Sequence, residues 1–302
     1  MKNIPDSVRR RLFDVAKEQN VEFNSLLIRY AIERTLYRLS VSEFADRFLL
    51  KGALLLSVWS ERPYRPTLDV DLLAFGDSSA SSMESVFRQI LSIPCSDDGL
   101  QFLPETMALD AIKLGDEYQG LRVTFRCELA KAVIPVQVDI GFGDAVVPGP
   151  LETIYPTILE LPAPRVRSYP RETVVAEKFE AMVKLGAANS RMKDFADIFY
   201  LASKFEFEGN LLAEALKATF SRRNTELPVV APFALTENFY LREDRQKQWF
   251  SFLKRSKLVD AFYGFSEVCI LLRDFLLPPA VSAASSTSFE KRWQLAKGWS
   301  AY

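Results

Sequence analysis

Hydrophobic residues follow two different spacings in the first half of the chain. In several segments apolar side chains return every three to four residues, which is the period of an amphipathic helix. These predicted helices are 6–19, 23–40, 53–59 and 80–93. Elsewhere apolar residues form short runs or alternate with polar ones, as they do in strands. The predicted strands are 48–50, 68–75, 121–129 and 133–140.

The second half of the chain has a different pattern. The strand signal is expected to end near the Pro-rich segment 149–170, and helical spacing dominates beyond it. The predicted helices there are 171–186, 191–204, 208–221, 241–256 and 264–276. An Ala- and Ser-rich segment at 279–289 predicts a linker to a short tail helix.

This pattern predicts an α+β protein with a boundary near residue 160. Residues 1–160 would form an α/β domain that carries the N-terminal helices. Residues 161–302 would form an α-helical domain. No signal peptide pattern is visible, and no apolar run reaches the roughly 18 residues of a membrane span. We therefore expect a cytoplasmic protein without a membrane partner.

Composition restricts the chemistry of any active site. The chain has 302 residues, three Cys and no His. Without His, Ser-His-Asp catalysis and His-ligated zinc are excluded, and three scattered Cys argue against a zinc or disulfide framework. A bound metal would need carboxylate ligands, which favours Mg²⁺ or Mn²⁺. The formal net charge of −1 gives no overall basic field for nucleic acid, although a local patch can exist.

The strongest candidate site is Asp69-Val70-Asp71. Residues i and i+2 of a strand point to the same face, so the two carboxylates would converge and repel unless a cation lies between them. A pair of solvated acids on an exposed strand is the alternative, but the apolar neighbours indicate an interior strand. Asp139, on the strand 133–140, would supply a third carboxylate to a magnesium site for a triphosphate.

Two further groups could bind phosphate or orient substrate. Gly52, after Lys51, lies at a predicted strand-to-helix junction where a backbone can approach an anion, although an ordinary tight turn also explains it. Lys178 lies beside an apolar helix face, where a lysine can simply extend to solvent. Asp194 and Asp197 lie three residues apart near the start of a predicted helix, where acidic residues can also interact favourably with the helix dipole.

These motifs together resemble the AbiEii/AbiGii toxin family, which is nucleotidyltransferase-like, belongs to the DNA polymerase β superfamily and includes the MenT toxins. The resemblance covers about residues 45 to 205. It rests on the order of Lys51-Gly52-Ala53, Arg65-Pro-Thr-Leu-Asp69-Val-Asp71, Asp139, Glu177-Lys178 and Arg191-x-Lys193-Asp194-x-x-Asp197.

The resemblance implies a polymerase β-type nucleotidyltransferase domain with a mixed sheet, followed by a helical domain that contributes Lys and Asp to the active cleft. It assigns each matched position a role. The implied metal ligands are Asp69, Asp71 and Asp139. The implied catalytic residues are Asp69, Asp71, Lys178 and Asp194, supported by Asp197. The implied nucleotide-binding residues are Lys51, Gly52, Ala53, Arg65, Lys178 and Lys193.

The same resemblance implies Mg²⁺-dependent transfer of NMP from an NTP to RNA, with the tRNA 3′ end as the expected acceptor, and a cognate antitoxin protein as partner. Candidate phosphate-backbone contacts are Arg9, Arg10, Arg11, Arg222, Arg223, Lys291 and Arg292. For each of them singly, an ordinary solvated surface position is the alternative explanation. One alternative keeps the transferase but gives it a small-molecule or protein acceptor. Another is an inactive nucleotide- or partner-binding module, because Ala53 stands where relatives often have a hydroxyl or a second Gly.

Overall fold

The structure of the chain is a computed structural model. It describes residues 3–60, 67–113, 119–258 and 263–301. Arg65, an expected nucleotide-binding residue, lies outside the described residues. The chain divides into two compact units, and the boundary near residue 160 expected from the sequence lies inside the first of them. The first unit is Met1–Gly143 with Leu151–Ser168, and the second is Asp144–Pro150 with Tyr169–Tyr302.

The first unit combines helices with a seven-stranded sheet. Its α-helices are α1 (Ile4–Glu18), α2 (Phe23–Ser40), α3 (Leu54–Val58) and α4 (Ala80–Leu91). Its strands are β1 (Phe48–Lys51), β2 (Val70–Ala74), β3 (Leu100–Lys113), β4 (Gln119–Leu129), β5 (Ala132–Phe142), β6 (Leu151–Ile154) and β7 (Arg165–Ser168).

The strand order of this sheet is β3-β4-β5-β2-β1-β7-β6. β2 runs parallel to β5 and β1 runs parallel to β7, whereas the other neighbouring strands are antiparallel. The expectation of a mixed sheet within an α+β chain is therefore confirmed. β2, the strand of the Asp-x-Asp motif, lies near the centre of the sheet, so both of its edges are paired.

A helix cap and a contact between aromatic rings illustrate how the helices of this unit are positioned. Glu22 caps α2 by accepting hydrogen bonds from the backbone N–H groups of Asn24 at 2.8 Å and Ser25 at 2.6 Å. Phe87 of α4 packs edge-on against Phe48 of β1, with 5.9 Å between the ring centroids. Such contacts attach the helices to the sheet and hold the central strands in place.

Three strands of the sheet were not expected from the sequence. β3 contains Pro104 and a register shift between Leu103 and Ala108, which obscures its alternation. β6 and β7 are four residues each and lie within the Pro-rich segment, so the expectation that strand structure ends there is wrong. As edge elements, β3 and β6 tolerate proline and irregular pairing that a central strand would not.

Buried charged residues join α2 to other parts of the first unit. Arg38 and Asp98 form an ion pair with 2.6 Å between Nη1 and Oδ2, and Arg34 adds a second contact to the same oxygen. Glu33 is fully buried and accepts a hydrogen bond from the backbone N–H of Ile158 at 2.7 Å. Burial raises the pKa of Glu33 to about 7, although the Ile158 N–H and Arg34 oppose the shift.

The second unit is mainly helical. Its α-helices are α5 (Arg171–Leu185), α6 (Met192–Lys204), α7 (Gly209–Arg222), α8 (Glu237–Tyr240), α9 (Glu243–Ser256) and α10 (Phe265–Ser285). A small antiparallel sheet joins β8 (Phe207–Glu208), β9 (Arg292–Gln294) and β10 (Gly298–Ser300). Phe265 packs against Phe195 and Trp249, with 5.2 Å between ring centroids in each pair.

The C-terminal region corrects two expectations. α10 continues through Pro278 and Pro279 to Ser285, where the sequence predicted the start of a linker. The tail is a β9–β10 hairpin rather than a helix, and Trp299 anchors it by donating to the Phe275 carbonyl at 2.9 Å. The burial of residues beyond the prolines, such as Ala280, explains why the helix persists despite the lost N–H groups.

α10 also corrects the expectation about apolar runs. By length and composition this 21-residue helix could cross a membrane, since its most apolar window has a mean hydropathy of 1.4. Half of that window is buried within the protein, and Cys269, Leu272 and Leu276 are fully enclosed. These contacts are those of a core helix, and we interpret α10 in that way.

Candidate active site

A row of charged residues crosses the sheet of the first unit from strand to strand. Each member is the direct cross-strand partner of the next, and direct partners place their side chains on the same face. The row is Lys51 on β1, Asp71 on β2, Asp139 on β5, Arg122 on β4 and Asp110 on β3. Two acids are therefore neighbours in its centre, with one basic residue on either side.

Asp71 and Asp139 form the central pair. Neighbouring strands lie about 4.8 Å apart, so the two carboxylates are held close together by the backbone. Asp139 is only 7% exposed and Asp71 is half-buried. Two carboxylates in such a position repel each other unless a cation offsets their charge. This arrangement is suited to a divalent cation.

Asp69 lies immediately before β2, two residues from Asp71. It is half-buried, and its Oδ1 accepts a hydrogen bond from the Thr67 hydroxyl at 2.7 Å. Asp69 and Asp71 are therefore a second candidate pair of oxygen ligands. Among the described residues, no group of three or more Asp, Glu, Cys or His is arranged to hold a metal ion.

Arg122 holds the third candidate carboxylate. Its Nε and Nη2 donate to the two oxygens of Asp139, each at 2.8 Å. These hydrogen bonds and the charges of Asp139, Asp69 and Asp110 raise the pKa of Arg122, although desolvation partly opposes them. Mg²⁺ commonly takes one or two protein carboxylates together with substrate phosphates and water. The Asp69 and Asp71 pair fits that donor set, and Asp139 would join it only if it shared or lost Arg122.

Gly52 is required by its contact with Asp71. Its φ is +72°, and a Cβ added there would lie 2.0 Å from Oδ2 of Asp71. Only glycine combines that backbone conformation with so close a carboxylate. Ala53 then precedes α3, which has five residues and therefore little helix dipole to attract an anion. Any phosphate role of this turn must rest on close backbone approach.

In the second unit, Lys178 of α5 lies between two acids of α6. Its Nζ is 2.8 Å from Asp194 Oδ1 and 2.8 Å from Asp197 Oδ2. The lysine side chain is 12% exposed, and both carboxylates are buried. Burial lowers the pKa of Lys178, but the two carboxylates raise it by more, so the ammonium form is favoured.

Asp194 also pairs with Arg191, whose Nε donates to Oδ2. Burial raises the pKa of Asp194, but Lys178 and Arg191 outweigh it and bring the pKa to about 2. With 1% of its side chain exposed, Asp194 is placed to orient Lys178 rather than to touch a substrate. Lys193 is exposed on the first turn of α6. The predicted roles of Lys193 and Asp194 stay predictions.

A second ion cluster in this unit corrects one expectation about RNA contacts. Arg223 was a candidate for phosphate binding, but it pairs with Asp144 at 3.3 Å, Glu177 at 3.1 Å and Glu180 at 3.0 Å. Only 19% of its side chain is exposed. Asp144, which lies just after β5, is thus part of this cluster. By contrast Arg9, Arg10 and Arg11 are exposed on α1.

Sequence reasoning missed Arg122, although a signal for it exists. The predicted strands 121–129 and 133–140 are close enough in sequence to form a hairpin, and the two residues at its turn are Ala130 and Lys131. Counting outward from the pair Leu129 and Ala132 brings Arg122 opposite Asp139. A hairpin register would therefore have paired the arginine with the acid.

Comparison with known protein families identifies the family to which the chain belongs. The model of the AbiEii family, described as nucleotidyl transferase AbiEii toxin of a type IV toxin–antitoxin system, matches residues 34–267. The chain belongs to this family, and the resemblance seen in its motifs is confirmed. No curated protein sequence matches the chain.

Two solved structures from Helicobacter pylori are similar in fold. One is a provisionally assigned nucleotidyltransferase, with 16% identity, a TM-score of 0.47, and coverage of 88% of this chain and 97% of that one. The other is JHP933, with 15% identity, a TM-score of 0.46, and coverage of 87% and 92% respectively.

Proposed function

We propose that this protein transfers NMP from an NTP to an RNA acceptor, the 3′ end of tRNA, and that a cognate antitoxin protein controls it. The observation that carries this proposal is the register of Asp71 beside Asp139 with Asp69 next to them. Acids held together on a central strand of this family's fold are best explained by a metal-bound nucleotide. Membership of a toxin family supports the antitoxin partner and, with it, a cytoplasmic site of action.

The chemistry follows from the roles of the individual residues. Asp69 and Asp71, with Asp139, would hold Mg²⁺ or Mn²⁺, which supplies positive charge to the triphosphate when bound. The acceptor hydroxyl oxygen bonds to the α-phosphorus, the bond from that phosphorus to the bridging oxygen of the β-phosphate breaks, and pyrophosphate leaves. The hydroxyl proton is released to water. Lys178 offsets phosphate charge, and Asp194 and Asp197 orient its ammonium group.

The remaining contacts concern nucleotide and RNA. Lys51 is adjacent to Asp71 in the row, so its ammonium group can neutralise a phosphate oxygen near the acids. The backbone at Gly52 lets a phosphate group approach closely, because the residue has no side chain. Lys193 is exposed and could make a further phosphate contact. Arg9, Arg10 and Arg11 give α1 an exposed basic segment for the RNA backbone.

Mass spectrometry of tRNA tests this function. The protein would be incubated with total tRNA, Mg²⁺ and the four NTPs, and the masses of the 3′-terminal tRNA fragments would then be measured. We expect a mass increase of one or more nucleotides that disappears with the Asp71→Asn variant. Parallel incubations would offer α-labelled NTP to protein extract and to an aminoglycoside. If the tRNA stays unmodified and one of these compounds becomes labelled, the acceptor is not tRNA.

A second candidate function rests on Ala53. This residue precedes α3 and offers no side-chain hydrogen bond at that position. A module that binds nucleotide or partner but does not react would tolerate this loss of a hydroxyl. That candidate predicts a tight partner complex with no NTP turnover on any acceptor. Restoring the hydroxyl with Ala53→Ser should raise turnover only if the protein is an enzyme.

A further inference from the structure

Asp139 has its two carboxylate oxygens occupied by one guanidinium. Nε and Nη2 of Arg122 each donate to it at 2.8 Å, in the planar two-point geometry that makes arginine–carboxylate pairs strong. The Asp139 side chain is 10% exposed, whereas 38% of the Arg122 side chain is exposed. The acid is therefore fixed in the sheet, and the arginine is the partner that can move into solvent.

Arg122 has other acids within its electrostatic reach. Besides Asp139, the charges of Asp69 and Asp110 also raise its pKa. Asp110 is its direct partner on the opposite side, on β3. A guanidinium that left Asp139 would therefore still have a carboxylate beside it, which lowers the cost of exchanging partners.

We propose that Arg122 is an internal counter-ion that a divalent cation displaces from Asp139, and that Arg122 thereby sets the affinity of the acidic site for the cation. This inference rests on the proposed function, since it assumes that the cation binds at Asp71 and Asp139. In the metal-free protein Arg122 stabilises the adjacent acids. When the cation binds, it takes over that role and Asp139 becomes a ligand.

Two physical effects give the expected direction. A cation that uses Asp139 must replace at least part of a two-point hydrogen bond, and it must also approach a positive charge on the next strand. Removing the guanidinium removes both penalties. We expect the dissociation constant for Mn²⁺ to fall by about tenfold in an Arg122→Gln variant, a change that corresponds to about 1.4 kcal/mol.

Titration of the full-length protein with Mn²⁺, followed by electron paramagnetic resonance of the free ion, measures this affinity. Four variants accompany the wild type: Arg122→Gln, Arg122→Lys, Arg126→Gln and Asp71→Asn. Arg126 is the matched control, because it lies on the same strand and face but pairs with Pro135 instead of an acid. Arg122→Lys keeps the charge without the two-point bond, so it should bind Mn²⁺ more tightly than wild type but less tightly than Arg122→Gln.

The outcomes separate the two proposals. If wild type binds Mn²⁺ and Asp71→Asn does not, but Arg122→Gln binds as wild type does, the role of Arg122 is overturned and the metal site remains. If wild type shows no binding that depends on Asp71, the metal site itself is wrong, and the proposed function fails with it. If Arg126→Gln raises the affinity for Mn²⁺ as much as Arg122→Gln does, the effect comes from net charge alone, and the counter-ion role of Arg122 is overturned.

Nuclear magnetic resonance of the arginine Nε–H groups gives an independent readout that remains useful if Arg122→Gln folds poorly. The Arg122 signal is assigned by its loss in Arg122→Lys. In metal-free protein we expect a slowly exchanging Nε–H, because it is bonded to Asp139. Saturating Mg²⁺ should shift this signal and speed its exchange with water. A signal that is unchanged at saturation would contradict displacement.

Discussion

Asp71 and Asp139 are direct partners in the parallel strands β2 and β5, and their carboxylates share one face of the sheet. Neither position can move away from the other without breaking the pairing of central strands, since β2 is bonded to β1 on its other side. Backbone hydrogen bonds therefore hold two repelling charges together. In the metal-free protein Arg122 offsets this repulsion through its two hydrogen bonds to Asp139, and the two acids form a ligand pair when a cation binds.

We predict that Asp71→Ala abolishes nucleotide transfer with little loss of folding. Removing one of two adjacent like charges relieves repulsion in the metal-free protein, while the cation loses a ligand. Transfer of α-labelled NTP should fall by at least about 100-fold, and the unfolding temperature should stay near that of wild type. Glu105→Ala, on the exposed edge strand β3, is the control and should transfer normally. Normal transfer by Asp71→Ala would refute the site.

We predict that Gly52→Ala damages the site more than it damages the fold. Its φ of +72° disfavours a side chain by about 1–2 kcal/mol, and the new Cβ would collide with Oδ2 of Asp71. Gly298→Ala is the matched control, because Gly298 has nearly the same φ (+67°) but the nearest atom to an added Cβ lies at an ordinary 3.9 Å. Denaturant unfolding should show similar losses for both variants. Only Gly52→Ala should weaken Mn²⁺ binding. If the two variants bind Mn²⁺ equally well, the contact between position 52 and the Asp71 carboxylate does not affect the site.

Lys178→Ala should weaken NTP binding and also destabilise the protein. Its removal leaves Asp194 and Asp197 buried without their shared cation, which typically costs about 3–5 kcal/mol. Denaturant unfolding measures that loss, and adding Asp197→Asn to Lys178→Ala should recover part of it. Lys184→Ala, an exposed residue on the same helix, serves as control. Unchanged NTP affinity in Lys178→Ala would refute the phosphate role while leaving the structural role intact.

Glu33 predicts a pH dependence of stability. Burial raises its folded pKa to about 7, above the ordinary value of 4.5. The folded state then binds more protons than the unfolded state, so the stabilising contribution is complete below about pH 4.5 and is lost as pH rises through about 7. Glu33→Gln should remove this slope. Urea unfolding between pH 4.5 and 8 measures the free energy of unfolding of wild type and Glu33→Gln. If this free energy changes with pH in the same way in both proteins, Glu33 does not titrate in this range.

Much of the fold followed from periodicity, because long amphipathic helices and central strands have strong patterns. α2, α6 and β5 begin and end within two residues of their predicted limits. Short strands such as β6 and β7 carry too few residues for alternation to show, and their pairing is set by the sheet they join. α10 was predicted too short, because tertiary packing overrides the local effect of two prolines.

The candidate site was predictable in part. Asp69 and Asp71 share a face by strand geometry alone, but the contact between Asp71 and Asp139 depends on which strands become neighbours. The pairing of Lys178 with Asp194 and Asp197 similarly depends on how α5 packs against α6. A hairpin register read from the sequence would have placed Arg122 opposite Asp139, but only the folded chain shows the two hydrogen bonds that join their side chains.

The central claim is that the acids on β2 and β5 hold a divalent cation for a bound nucleotide. A crystal structure with Mn²⁺ and a non-hydrolysable NTP, solved with anomalous scattering, tests it most directly. We predict an anomalous peak within direct coordination distance of carboxylate oxygens of Asp69 and Asp71, with Arg122 moved away from Asp139 and the Asp139 carboxylate bound to the ion. An anomalous peak elsewhere, or nucleotide bound with these carboxylates free of metal, would contradict the account.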